Sequence, residues 1–290
     1  MKIWINGSLV DGKKAKVSVF DRGFLYGDGV FETMRCYAGH VFRLDKHIDR
    51  LNSSLKAVRI KPDFTARYLK DAVYKSLSAN RLKSAYIRLS VTRGEGRIGI
   101  GCTGSFKPTV VIITKEFEPY PEWMHRRGIS CQVVSIRQNE YSPLSGIKTA
   151  NFLNYILARI CAKEASYDEA ILANTEGYIA EAATSNIFLV RKGSLFTPSM
   201  NSGILPGIAR DTVLRATAKM RFHIVEGKIA YRELFKADEV FLTNSLVEVL
   251  PVTKIDGKNV GSGTPGDITR LLHISYQKEV IREVLGKPGL

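Results

Sequence analysis

The spacing of hydrophobic and polar residues changes several times along the chain, and each change predicts an element. Residues 2–20 alternate with a period of two, predicting strands at 3–5, 8–10 and 15–20 with a turn at Asp11-Gly12. A bend rich in glycine and aromatics follows, Gly23-Phe24-Leu25-Tyr26-Gly27-Asp28-Gly29, and then a strand over 30–37. From residue 41 the period becomes helical. Leu44, Ile48, Leu51 and Leu55 form one inward stripe of a helix ending near 58, with Arg50 just beside it. A second helix is predicted over 64–80, then strands at 84–92 and 109–114. On the first of these strands Tyr86, Arg88, Ser90 and Thr92 share a face. The basic, glycine-rich stretch 93–101 reads as a loop.

Pro119 and Pro121 stiffen a stretch that reads as a link between domains. The expected division is a smaller domain over 1–118, a linker over 119–127 and a larger domain over 128–290. In the larger one, strands are predicted at 130–137, 169–172, 186–190 and 195–197. Helices are predicted at about 151–165, with Leu153, Ile156, Leu157 and Ile160 at helical spacing, at 210–220 and at 267–283. Near the end, Val240-Phe241-Leu242-Thr243-Asn244-Ser245-Leu246-Val247-Glu248-Val249 reads as a strand, a polar turn and another strand. The pattern is that of a mixed α/β (α+β) protein.

Three segments carry candidate chemistry. Lys148, in Ser145-Gly146-Ile147-Lys148-Thr149-Ala150-Asn151, stands between a loop and the start of a helix. Alone it would read as a solvated charge. Thirty-three residues on, Glu181 lies in a run of small and apolar residues, Tyr178-Ile179-Ala180-Glu181-Ala182-Ala183. Gly203-Ile204-Leu205-Pro206-Gly207-Ile208-Ala209-Arg210 reads as a turn opening a helix, where backbone N–H groups can hold a phosphate. An amine, a carboxylate and a phosphate cradle are what a pyridoxal phosphate enzyme requires.

With 290 residues, 44% of them apolar and 24% charged, the chain has the composition of an ordinary globular protein with material for two cores. No apolar run approaches the length of a membrane span, and the N-terminal alternation reaches a turn too early for a signal peptide. The expectation is a cytoplasmic protein without membrane association. Cys36, Cys102, Cys131 and Cys161 are far apart and the five histidines scattered, which fits reduced thiols and no metal site. The net charge of +15 raises nucleic-acid binding as a class. However, the basic residues are spread among acids with no basic tail or RNA-binding motif, so attraction of an anionic cofactor and substrate is the better use.

In their order and spacing these segments resemble the fold-type IV pyridoxal phosphate enzymes, the class IV aminotransferase family. The resemblance runs from Trp4-Ile5-Asn6-Gly7 to about residue 279. It implies a two-domain fold similar to that of D-amino-acid aminotransferases, with the active site at the domain interface and pyridoxal 5'-phosphate as cofactor. Lys148 would bind the cofactor aldehyde, and Glu181 would pair with the pyridine nitrogen. Arg50, in His47-Ile48-Asp49-Arg50-Leu51, matches the phosphate-binding arginine. Leu205 would pack on the ring, with Ile208, Ala209 and the Asn244 turn at the phosphate, and Asn186 close behind Glu181. Phe31 and Arg35 would line the substrate pocket, and Arg88 and Arg97 would grip carboxylates of a small anionic substrate. A homodimer is expected, each site completed by the neighbouring subunit.

Within the family, three details resemble the aminodeoxychorismate lyases. Leu153 stands where branched-chain aminotransferases carry tyrosine, the turn reads Thr243-Asn244-Ser245-Leu246, and Gly207-Ile208-Ala209-Arg210 lacks the threonine usual in aminotransferases. The expectation is therefore a lyase releasing pyruvate from 4-amino-4-deoxychorismate to give 4-aminobenzoate, with Lys148 taking the proton and Asn244 orienting the substrate. The alternative is an aminotransferase of D-amino-acid or broad and branched-chain specificity that uses a keto-acid acceptor.

Overall fold

The structure is a computed structural model and describes residues 1–101 and 106–286. The chain divides into two compact units. One comprises Met1–Glu118 with Ile147–Asn151, the other Pro119–Gly146 with Phe152–Leu290.

The first unit contains β1 (Lys2–Ile5), β2 (Ser8–Asp11), α1 (Arg22–Tyr26), β3 (Gly29–Tyr37), β4 (His40–Val41), α2 (Leu44–Ala57), α3 (Ala66–Ala79), β5 (Ala85–Thr92) and β6 (Thr109–Glu116). Its strands form an antiparallel sheet in the order β2-β1-β6-β5-β3-β4. Alternation decides which face is covered. Ala85, Ile87, Leu89 and Val91 of β5 are fully buried in the same core as Leu44, Ile48, Leu51 and Leu55 of α2 and Leu69, Val73 and Leu77 of α3. The intervening Tyr86, Arg88, Ser90 and Thr92 are half-buried on the other face. Caps follow the side-chain chemistry. Thr65 accepts from the Tyr68 N–H at the start of α3, and Asp21 accepts from the Gly23 N–H at the start of α1.

The second unit contains α4 (Glu122–Arg127), β7 (Ile129–Gln138), α5 (Leu153–Glu164), β8 (Glu169–Asn174), β9 (Tyr178–Ala182), β10 (Asn186–Arg191), β11 (Ser194–Pro198), α6 (Ile208–Lys219), β12 (Ile224–Gly227), β13 (Ile229–Ala230), β14 (Glu239–Asn244), β15 (Glu248–Ile255), β16 (Lys258–Asn259) and α7 (Asp267–Val284). These strands form a mixed sheet in the order β12-β11-β10-β14-β15-β7-β8-β9-β13, with β16 beside β15. The pairs β15–β7, β7–β8 and β11–β12 are parallel. Strand β8 is buried along its whole length and reads as a continuous apolar run after Glu169, as a central strand should.

Several expectations are corrected. Residues 15–20 form no strand, and Val17, Val19 and Phe20 stay exposed. Residues 119–127 carry helix α4 and belong to the second unit, and Ile147–Asn151 belongs to the first. Helix α5 is present as the helical spacing predicts, but its apolar stripe faces outward. Leu153, Ile156, Leu157 and Ile160 are exposed, while Ala158 and Ala162 are buried. Small residues seat that helix against β7 and β8 through Val134, Ala170 and Leu172. The glutamate segment, to which the sequence reading assigned no element, is strand β9.

Among the described residues no helix is long and apolar enough to cross a membrane, and no cluster of three metal-ligating side chains occurs. Cys36, Cys131 and Cys161 are free thiols, and Cys102 lies outside the described residues.

Candidate active site

The lysine segment is attached to the start of β3 by its backbone. The Phe31 N–H donates to the Lys148 carbonyl at 2.9 Å, the Ala150 N–H donates to the Gly29 carbonyl at 2.8 Å, and Thr149 bridges to Val30. The Asn151 side chain donates to the Gly27 carbonyl at 3.0 Å. Lys148 therefore has strand-like backbone support on a stretch that sequence reads only as a loop. Its Nζ lies 4.6 Å from the centroid of the Phe31 ring. The guanidinium carbon of Arg88, from the neighbouring strand β5, lies 3.8 Å from the same centroid. One aromatic ring thus serves as platform for two cations.

Alternation along β3 sends Glu32 to the opposite, covered face, where it is fully buried beneath α2. Its Oε1 accepts from Arg50 Nε at 2.7 Å and its Oε2 accepts from Arg50 Nη2 at 2.6 Å, a bidentate pair. His47 Nδ1 is 2.7 Å from Oε2. Burial pushes the Glu32 carboxyl up, but the Arg50 charge and the hydrogen bonds from Arg50 and His47 outweigh it and hold it down at about 2. Burial lowers His47 below its ordinary value, and the charges of Arg50 and Lys148 lower it further against the pull of Glu32. The ring is accordingly neutral at neutral pH. Because an ionised carboxylate can only accept, the Nδ1 atom carries the hydrogen.

The other arginines separate into two groups. Arg88 joins Phe31 and Lys148. Arg35 lies on the same face of β3 but four residues along, roughly 13 Å at strand spacing, where its guanidinium carbon sits 4.2 Å from the Tyr37 ring and 3.9 Å from the Phe117 ring. Arg97 is exposed in the loop after β5. Its neighbour Arg93 is instead bound to structure, pairing with both oxygens of Asp28 and donating to the Val58 and Arg59 carbonyls.

In the second unit Glu181 is buried on β9 and accepts from several neighbours. The Tyr155 hydroxyl donates to Oε1 at 3.0 Å, and the Leu205 N–H and Asn186 Nδ2 donate to Oε2 at 3.0 and 3.2 Å. Asn186 Nδ2 also donates to the Leu205 carbonyl at 2.9 Å, so the Leu205 backbone is held by Glu181 at its N–H and by Asn186 at its carbonyl. Burial, the Glu181 charge and the hydrogen bond to it raise the Tyr155 phenol well above its ordinary range, which keeps it a donor. Gly207 precedes α6, whose N-terminus carries no side-chain cap among the described residues. Ile208 is half-buried and Ala209 buried at that end. A Cβ on Gly207 would stand 1.9 Å from Asn186 Oδ1, so the approach of these two residues requires glycine.

Asn244 ends β14, and its side-chain amide is fully engaged by protein. Oδ1 accepts from the N–H groups of Leu246 and Val247 at 2.7 and 2.9 Å, and Nδ2 donates to the Thr184 carbonyl and Ser185 Oγ at 3.1 and 2.9 Å. Both donors and both acceptor positions are thus occupied in shaping the turn.

Sequence reasoning missed Glu32, His47 and Tyr155 as parts of these clusters. The signal for Glu32 is a carboxylate in register with Val30, Met34 and Cys36, all on the buried face of β3. Tyr155 stands three residues before Ala158 and seven before Ala162, the buried residues of α5, and so shares their face.

The residue types fit those that pyridoxal 5'-phosphate chemistry uses: an amine and an arginine in the first unit, and in the second a buried carboxylate and a helix N-terminus without a side-chain cap among the described residues. Comparison with known proteins agrees. The family described as "Amino-transferase class IV" matches residues 29–255. A putative branched-chain-amino-acid aminotransferase of Methanocaldococcus jannaschii is 41% identical over 291 residues, spanning 100% of this chain and 98% of that protein. The aminodeoxychorismate lyase of Bacillus subtilis is 33% identical over 292 residues, 99% and 97% of the two chains. Among solved structures, the Escherichia coli branched-chain aminotransferase superimposes with a TM-score of 0.92 at 32% identity, covering 96% of this chain and 93% of that one. The branched-chain aminotransferase of Thermobaculum terrenum, solved in its PLP-bound holo-form, gives a TM-score of 0.87 at 30% identity, with coverage of 96% and 93%. With the family matched over most of its length and relatives aligned end to end, this chain belongs to the class IV aminotransferases, the fold-type IV pyridoxal phosphate enzymes.

Proposed function

We propose that the protein is a pyridoxal phosphate-dependent aminotransferase that takes amino acids with apolar, branched side chains and passes the amino group to a keto acid. This reading replaces the lyase expected from sequence. The observation that carries it is the saturation of Asn244, whose amide is occupied by the turn and by Thr184 and Ser185, leaving no hydrogen-bonding capacity with which to orient a lyase substrate. The 41% identity to a putative branched-chain enzyme against 33% to a lyase supports the same choice. So does the face of β3 and β5 around Phe31, whose ring offers an apolar surface with Arg88 stacked on it, a lining suited to an apolar side chain and a carboxylate.

In this reading Arg50 and the N–H groups of Ile208 and Ala209 hold the cofactor phosphate, and Leu205 packs on the ring. Ionised Glu181, fixed by Tyr155, Asn186 and the Leu205 N–H, keeps the ring nitrogen protonated. When bound, pyridoxal 5'-phosphate supplies the electron sink for deprotonation at the substrate Cα. Lys148 would attach the resting cofactor and, as the neutral amine, would take up the proton from Cα, the ammonium so formed facing the Phe31 ring. Arg88 binds the carboxylate. We place Arg35 and Arg97 further out, where they attract anions.

The active form is proposed to be a homodimer in a reducing, cytoplasmic setting. The exposed stripe Leu153, Ile156, Leu157 and Ile160 on α5 and the free thiols support this. Nothing in the clusters described calls for nucleic acid. The test is a pair of assays. L-Leucine or L-valine with 2-oxoglutarate should yield glutamate, and 4-amino-4-deoxychorismate without a keto acid should yield no pyruvate. Pyruvate release without an acceptor would return the lyase, and turnover of D-alanine in place of the L-amino acids would reject the branched-chain assignment. Borohydride reduction of the holoenzyme followed by peptide mapping should place the cofactor on Lys148.

A further inference from the structure

We infer that Glu32 is a positioning residue for phosphate recognition: it clamps one edge of the Arg50 guanidinium and so presets the opposite edge for the cofactor phosphate. This rests on Arg50 being a phosphate ligand, as proposed above.

The geometry is specific. Glu32 reaches Arg50 through two bonds of 2.7 and 2.6 Å, to Nε and Nη2, and two attachment points fix the plane of a rigid fork as one cannot. His47, three residues earlier on α2, holds the same Oε2 at 2.7 Å, so the carboxylate is itself restrained from rotating. Glu32 is completely buried and Arg50 nearly so, which keeps water from competing for the clamp. Because the guanidinium is planar, fixing its Nε and Nη2 edge turns the Nη1 side away from Glu32.

Charge alone predicts the reverse effect. An ionised Glu32 cancels the field of Arg50, so removing it should tighten the binding of an anion. Positioning predicts that removing it loosens binding, and only for ligands that carry the phosphate. The sign of the effect therefore separates the two explanations.

The experiment uses the full-length enzyme after cofactor removal. Dissociation constants are measured for pyridoxal 5'-phosphate and for pyridoxal, which lacks the phosphate, in the wild type, Glu32→Gln, Glu32→Asp, Arg50→Gln and the double variant Glu32→Gln with Arg50→Gln. Glu32→Gln should weaken pyridoxal 5'-phosphate about tenfold, the worth of a charge-assisted pair, and leave pyridoxal unchanged. Glu32→Asp keeps the charge but draws the carboxylate back by one methylene, so it should show the same selective loss even if Glu32→Gln folds poorly. The double variant should bind no more weakly than Arg50→Gln alone. Tighter binding in Glu32→Gln, equal losses for both ligands, or a wild-type preference for the phosphorylated ligand in Glu32→Asp would each overturn the inference. If Arg50→Gln itself leaves the ratio of the two constants unchanged, Arg50 is not a phosphate ligand, and both the inference and the reading beneath it fall.

Discussion

Lys148 and Phe31 are joined twice, once through backbone and once through side chain. The Phe31 N–H donates to the Lys148 carbonyl at 2.9 Å, while the Lys148 ammonium rests 4.6 Å from the Phe31 ring centroid. Strand β3 thus sets both the height of the lysine backbone and the direction of its amine. The register of β3 with β5 brings Arg88 to the same ring, since Thr33 pairs with Arg88 and Phe31 with Ser90. The spacing of the Lys148 amine to the Arg88 guanidinium is therefore fixed by one sheet and one aromatic residue.

Replacing the ring tests this arrangement. Phe31→Leu keeps an apolar side chain but removes the quadrupole that both cations face, worth about 0.5–2 kcal/mol for each contact. Arg88 then loses its platform, and the KM for the amino acid should rise by about tenfold. The rate of cofactor attachment to Lys148 should fall as well. Steady-state kinetics with L-leucine check the first outcome. An unchanged KM would remove Phe31 and Arg88 from substrate recognition.

Tyr155 offers a second test, because its hydroxyl donates to Glu181 at 3.0 Å. Tyr155→Phe leaves the shape and deletes a buried donor to a carboxylate, at a cost of roughly 1.5–3 kcal/mol. The carboxylate becomes easier to protonate and holds the ring nitrogen less firmly. The expected result is a fall in kcat of tenfold or more with little change in KM, and a shift of the acidic limb of the kcat profile to higher pH. An acidic limb that stays in place in Tyr155→Phe would show that the phenol serves only packing.

Much of the fold was legible because the first unit obeys simple periodicity. The alternation of β5 and the 4-3-4 spacing of Leu44, Ile48, Leu51 and Leu55 both face the core that they predict. Helix α5 was legible as a helix but not in orientation. Its large apolar residues lie outside and its alanines inside, since close approach to β7 and β8 favours small side chains, and hydrophobicity alone ranks these faces the other way. The placement of Lys148 depends on backbone bonds to β3, more than a hundred residues away in sequence, and no local pattern encodes such pairing. Glu32 and His47 are individually ordinary residues. Their meaning comes from a strand and a helix being packed face to face.

Asn244 should behave as a structural residue. Asn244→Ala removes four hydrogen bonds at once and leaves the Leu246 and Val247 N–H groups to find other partners, a loss of about 2–4 kcal/mol in unfolding free energy. Asn244→Asp keeps the acceptor side that caps the turn and loses the donors to Thr184 and Ser185, so it should recover about half of that loss. Denaturant unfolding of both variants measures the difference. A variant of full stability that has lost activity would restore this asparagine to a chemical role.

Acid should act on the first unit in two stages. His47 is held below its ordinary 6.5, first by burial and then by the charges of Arg50 and Lys148. A folded state that resists protonation loses stability once the unfolded chain begins to take up the proton, so the decline starts as pH falls below about 6.5. Glu32 lies at about 2 against an ordinary 4.5. Its contribution is complete above 4.5 and is withdrawn as pH drops toward 2, and the shift corresponds to roughly 3 kcal/mol for a fully buried group. His47→Asn retains an N–H directed at Glu32 but cannot titrate, and it should flatten the upper stage alone. Glu32→Gln should start from a lower plateau and flatten the lower stage. Urea unfolding of the three proteins from about pH 7.5 to 3 provides the comparison. Wild-type and Glu32→Gln curves running parallel between about pH 5 and 3 would mean that the buried carboxylate is not the group whose protonation destabilises this unit, and the clamp on Arg50 would lose its thermodynamic basis.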